Sequence, residues 1–147
     1  MIDEIGTLRK IHDAIEHVSS IFPSDTNLTC TLTAAAGANT WSAWTEIADS
    51  GATKLSDACA TDMHLTSMIV ETVSDDAALY MIEISWGASN ILHTTDRFAG
   101  AGKFQAAHMQ SRYWAPPIPA GQLIYYRMKT DTAIADTCTV HFRLHCH

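Results

Sequence analysis

The sequence predicts a mainly β domain: an antiparallel β-sandwich or jelly roll of about eight strands, preceded by an N-terminal α-helix. Two observations carry this. Residues 1–22 repeat their apolar positions at helical spacing, and from residue 26 onward apolar and polar residues alternate. Gly, Asp, Ser and Pro clusters break the alternating part at the intervals expected of short strands. The chain therefore divides into an assembly helix over 1–22 and a β-sandwich over 23–147.

In the helix, Leu8, Ile11, Ile15, Val18 and Phe22 step by 3, 4, 3 and 4, forming one stripe that Ile2 and Ile5 extend. Asp3 and Glu4 sit in the first turn, where the helix dipole favours negative charge. Ser19 and Ser20 weaken the far end and Pro23 stops it. A helix of about 20 residues is roughly 30 Å long. It is marginal alone and must bury its stripe. It does so either on its own sheet or in a bundle between subunits. As a heptad, Leu8 and Ile15 take a while Ile11 and Val18 take d, and β-branched residues at these positions favour trimers or tetramers. Ile5, Leu8, Ile11, Ile15 and Val18 are the candidate assembly contacts.

The strand runs follow in order. Residues 28–32 alternate Leu and Cys with Thr, and 63–70 and 79–86 are β-rich, the latter closed by Gly87. Residues 122–128 follow a proline-rich turn. In the last run Cys138, Val140, Phe142 and Leu144 face one way, with Thr139, His141, Arg143 and His145 facing the other. Shorter runs lie around 41–47, 91–95 and 103–113.

Composition narrows the function classes. The chain is 47% hydrophobic and only 17% charged, against about 25% charged in typical domains. A disordered tail or collagen-like rod is excluded. No run approaches the ~20 apolar residues of a membrane span, so no membrane partner is expected. Sixteen acidic against nine basic residues, a net charge of −7, argue against a nucleic-acid partner. Scarce Lys and abundant Ala and Thr suit packing against other subunits. Cys30, Cys59, Cys138 and Cys146 show no paired C-x-x-C spacing, and buried free thiols are the expected state, with a disulfide as the alternative whose connectivity the sequence does not supply. The opening residues lack a basic segment followed by an apolar core, so no secretory signal is expected and a reducing cytosol fits synthesis.

No catalytic residue and no cofactor is assigned. Nucleophile elbow, P-loop and dinucleotide turn are all missing. His141, His145 and His147 share parity on the last run. Positions four apart on a strand are roughly 13 Å apart, too far for one ion. His145 and His147 can chelate together only if a third ligand comes from elsewhere, so a solvated or interface histidine row is expected and no metal ligand is assigned. The His-x-His plus later Glu of a cupin is absent, and His93 and His108 stand alone. Asp75, Asp76, Asp131 and Asp136 are expected to cap turns. Trp41 and Trp44, three apart, face opposite sides of a regular strand, which puts one of them in the core. Tyr113 and Trp114 precede Pro116-Pro117-Ile118-Pro119 and are the candidate ligand or partner surface.

The segment Pro117-Ile118-Pro119-Ala120-Gly121-Gln122-Leu123-Ile124-Tyr125-Tyr126-Arg127 resembles the proline-alanine-glycine turn and arginine-ending strand of β-sandwich virion proteins in tailed phages. That resemblance implies a non-enzymatic jelly-roll decoration (cement) protein, made in the host cytoplasm and placed on the capsid surface. Its implied partners are its own copies, as a homo-oligomer with a trimer favoured, and the major capsid protein or other virion subunits. Two other classes stay open. One is a receptor- or carbohydrate-binding module of a phage tail or appendage, and the other a metal-dependent jelly-roll enzyme, which stoichiometric metal would favour.

Overall fold

The computed structural model describes residues 19–100 and 109–147. Along them run β1 (Ser20–Phe22), β2 (Cys30–Thr33), β3 (Thr45–Glu46), β4 (Met63–Val73), β5 (Leu79–Trp86), β6 (Ile91–Ala99), β7 (Met109–Arg112), β8 (Ile124–Thr130) and β9 (Thr137–Cys146). A one-turn 3-10 helix, Leu55–Ala58, is the helical element among the described residues. Each of the eight alternating runs contains a strand.

Every pairing is antiparallel. One sheet runs β1-β9-β4-β7, with β2 also on β9, and the other runs β3-β8-β5-β6. β1 and β2 lie end to end along the same edge of β9, opposite Leu144 to Phe142 and Val140 to Thr137 respectively.

Alternation builds the core. On β9, Cys138, Val140, Phe142 and Leu144 are buried, as are Met63, Leu65, Met68 and Val70 on β4. From the other sheet come Tyr80, Ile82, Ile84, Ile124, Tyr126 and Met128. The sheets meet at Cys138 Sγ and Met128 Sδ, 3.6 Å apart, and where Thr33 N–H donates to Tyr126 Oη at 3.1 Å. Each large apolar side chain so enclosed contributes about 1.5–3 kcal/mol. Register shifts at Leu65/Ser67 and Val70/Thr72 kink β4 without exposing its apolar set.

Three expectations need correction. The helix expected over 1–22 does not reach residue 22, because Ser20–Phe22 is strand β1. Phe22 is buried opposite Phe142, while Ser20 and Ile21 before it are exposed. A cross-strand partner therefore decides this end of the apolar stripe. Ile5, Leu8, Ile11, Ile15 and Val18 lie outside the described residues, as does His108.

The expectation of free thiols fails for one pair. Cys59 and Cys146 form a disulfide with Cα atoms 5.5 Å apart, whereas Cys30 and Cys138 are free and buried. The 3-10 turn, anchored by buried Leu55, delivers Cys59 to the end of β9. Neighbours 87 positions apart in sequence are set by tertiary structure alone.

Neither Trp41 nor Trp44 is in the core. Residues 41–44 precede β3 and are not strand, so strand parity does not apply. Both half-buried rings stack on Arg127, whose Cζ lies 4.7 and 4.6 Å from their centroids.

Candidate functional site

The outer face of the β4–β9 pair carries polar residues because the inner face is taken by the core. The register sets His64 directly across from His145. Beyond the strand, His147 N–H donates to Asp62 C=O at 3.0 Å, keeping the chain extended for one more step. Alternation then puts His145 and His147 on the same face. Three imidazoles converge there, with ring centroids 4.8–5.2 Å apart. The Cys59–Cys146 disulfide falls between His145 and His147 in sequence and fixes the backbone that carries them.

His64 Nδ1 lies 3.2 Å from His145 Nε2 and 3.2 Å from His147 Nε2. One nitrogen from each ring falls within 4.8 Å of the others. On its far side, His64 Nε2 lies 3.1 Å from the carbonyl oxygen of Ala115. A carbonyl only accepts, so Nε2 carries the hydrogen and donates. In the neutral ring Nδ1 then presents its lone pair to the other two histidines.

Ala115 is held in turn by a strap over residues 113–120. Ile118 and Met63 exchange backbone hydrogen bonds of 2.7 and 2.9 Å, and Ala120 N–H donates to Asp62 Oδ1 at 2.9 Å. Pro116, Pro117 and Pro119 fix the backbone of this strap. Between strap and sheet lies a cavity of about 480 Å³, lined by His64, Thr66, Ser67, Tyr113, Trp114, Ala115, Arg143 and His145. Its floor is the polar face of β4 and β9, and Trp114 at its rim is 97% exposed.

Tyr113 is half-buried, and its hydroxyl donates to Asp96 Oδ2 on β6 at 2.6 Å. Burial, and then the Asp96 charge beside it, push this phenol well above its ordinary value. His93 packs edge-on against Tyr113, centroids 5.9 Å apart, and neither ring nitrogen has a hydrogen-bond partner among the described residues. Burial, with His64 nearby as the smaller cause, lowers its affinity for a proton.

The histidines of the last run part company. His141 leaves the group: its Nδ1 lies 2.7 Å from Glu71 Oε1. The loop aspartates cap backbone and hydroxyl groups. Asp75 Oδ1 accepts from Ala77 N–H and Asp131 Oδ1 from Leu79 N–H. Asp136 accepts from Ser74, Thr130 and Thr132. Of the two candidate surface residues, Trp114 is open to solvent while Tyr113 is tied down by Asp96.

His64 is the residue that sequence reasoning passed over. Its only signal was a place on the polar parity of the 63–70 run. Grouping it with His145 needs the β4–β9 register, which neither strand encodes alone. The Ala115 carbonyl leaves no trace in side-chain identity.

No family model, curated protein or solved structure matches this chain.

Proposed function

We propose that the protein is a non-enzymatic virion structural protein, a capsid decoration protein that binds the coat shell as a homo-oligomer, with a trimer favoured. The observation that carries this reading is an apolar corner on an open strand edge. Among the described residues, β6 ends its sheet with β5 as its partner. At its start Ile91 and Leu92 are 49% and 54% exposed. The hydrogen bond from Gly87 N–H to Leu123 C=O, 3.0 Å, brings exposed Leu123 to the same end of the sheet. Exposed apolar residues on an unpaired edge invite a partner chain.

The strand order supports the jelly-roll form of the fold. With β2 to β9 counted as eight strands, the two sheets read 1-8-3-6 and 2-7-4-5. That is the pairing of a double-sheet jelly roll, an architecture shared by capsid proteins, lectins and cupins. The Pro117–Arg127 resemblance favours the first of these. The low charge of the chain agrees with surface kept for neighbouring subunits.

Native mass measurement of the purified chain, alone and with capsid shells, tests this reading. An oligomer that cosediments with shells, and loses that binding on Ile91→Lys with Leu92→Lys, supports it. Introducing charge by Ile11→Asp with Ile15→Asp reads the contribution of the N-terminal segment, and loss of the trimer is expected. A monomer with no affinity for shells overturns the proposal.

Trp114 favours a second reading, a receptor- or carbohydrate-binding module of a tail or appendage. An indole 97% exposed at the rim of a cavity is a stacking platform for a sugar ring. Glycan-array binding that Trp114→Ala abolishes would select this reading over the first.

A further inference from the structure

We propose that His64, His145 and His147 bind a divalent transition-metal ion, zinc in the first instance, clamping the end of β9 to the start of β4. This goes beyond the assembly reading and does not depend on it. The spacing of the donors is the first argument. With Zn–N bonds of about 2.0–2.1 Å, a tetrahedral ion holds its nitrogens about 3.3–3.4 Å apart. Two of the three nitrogen pairs here are at 3.2 Å, and the third is within 4.8 Å. His147 is exposed beyond the end of β9, so its ring has room to close that last pair.

The second argument is the tautomer. Metal-bound histidines donate their other ring N–H to a carbonyl or carboxylate, which fixes ring orientation and basicity. His64 does this already through Ala115, from a strap pinned by Met63 and Asp62. Its Nδ1 lone pair points into the same space as the Nε2 atoms of His145 and His147, so an ion placed there takes one nitrogen from each ring. The chemistry of the donors decides the class of ion: three imidazoles suit Zn, Cu, Ni or Fe, whereas Ca and Mg require oxygen. Three protein ligands leave a fourth tetrahedral position, which water fills. Because His64 and His145 also line the cavity, the ion sits in the cavity wall.

The full chain, stripped with a chelator and dialysed, is titrated with zinc chloride and followed by calorimetry and elemental analysis. One zinc per chain is expected, with Tm raised by about 5–10 °C when zinc is about a hundredfold above Kd. His64→Ala and His147→Ala should each lower affinity at least tenfold, while His141→Ala leaves it unchanged. X-ray absorption on the zinc-loaded wild type provides a readout that needs no variant, and three imidazole nitrogens in the first shell are expected. Absence of micromolar zinc binding overturns the proposal. So does zinc that binds the variants as tightly as the wild type, or a first shell without three imidazoles. Capsid binding and oligomer mass are separate measurements, so failure here leaves the assembly reading standing.

Discussion

Arg127 Nε donates to Glu83 Oε2 at 2.6 Å, across a directly paired position of β8 and β5. The same guanidinium lies against Trp41 and Trp44, and Lys129 Nζ lies 4.7 Å from the Trp41 centroid. A planar cation held by two rings and a carboxylate ties the 41–44 segment to the outside of the second sheet. Arg127→Met should therefore cost about 1–2 kcal/mol, since each stack contributes about 0.5–1 kcal/mol and a partly exposed ion pair about as little. Arg127→Lys should recover less than half, lacking the plane that stacks. Urea midpoints of the two variants check this, and an Arg127→Lys protein as stable as the wild type would refute the stacking account.

The disulfide spans 87 positions, a loop whose closure removes about 4–5 kcal/mol of unfolded-chain entropy. Cys59→Ser and Cys146→Ser should each destabilise by about 2–5 kcal/mol, and the double variant by no more than the worse single one. Chemical denaturation with and without reductant reads the same quantity on the wild type. Additive losses in the double variant would mean that the two sulfurs act independently.

Cys30 and Cys138 should be inert in the folded protein. Burial first, then the charges of Asp49 and Glu71, push the Cys30 thiol up to about 12. Burial, with Cys30 beside it, pushes Cys138 up as well. A thiol of this kind holds almost no thiolate at neutral pH, and the thiolate is the nucleophile. Ellman's reagent should find no reactive thiol natively and both free cysteines after urea unfolding. Rapid native labelling would sink the prediction.

Gly100 and Gly121 should both lose stability on substitution by alanine, Gly100 more. A Cβ on Gly100 would lie 2.4 Å from the Asp75 carbonyl oxygen and 3.1 Å from Tyr80 Cε2. Backbone must move to admit it, at about 1–3 kcal/mol or more. Gly121 has φ +76° and nothing within 4 Å, so Gly121→Ala meets only the left-handed backbone penalty, about 1 kcal/mol. Thermal unfolding ranks the two, and a milder effect at position 100 would contradict the packing described.

His93 gives the fold an acid-sensitive term. Burial and, less strongly, His64 hold its imidazole below the ordinary histidine value, so the folded state keeps it neutral. The unfolded chain takes up that proton as pH falls through about 6.5, and the folded chain only lower. Stability is therefore complete above about 6.5 and declines as pH drops below it. His93→Phe should flatten this decline in urea midpoints measured between about pH 7 and 5. An unchanged slope would exclude His93 as its source.

The strands were legible because period two survives burial: Cys138, Val140, Phe142 and Leu144 declare their face without help. The end of the expected helix was not, since Phe22 fits a helical stripe and a strand equally well until Phe142 stands opposite. Trp41 and Trp44 were misassigned because parity rules apply only inside strands. The histidine group was half legible. His145 and His147 show their shared face in sequence, but His64 joins them through a register fixed 81 positions away. The disulfide was hidden for the same reason, as loop Cys59 carries no pattern of its own.

β9 is the last strand in sequence, yet β1, β2 and β4 all pair with it. On the ribosome, then, the four described strands of the second sheet are all present once β8 has emerged, whereas the first has no hub until β9 is free. The earlier strands of that sheet wait with their edges open, and such nascent edges are prone to aggregation. Crowded synthesis of many copies thus carries its greatest hazard in the interval before β9 emerges, and coexpressed holdase chaperones would act in that interval.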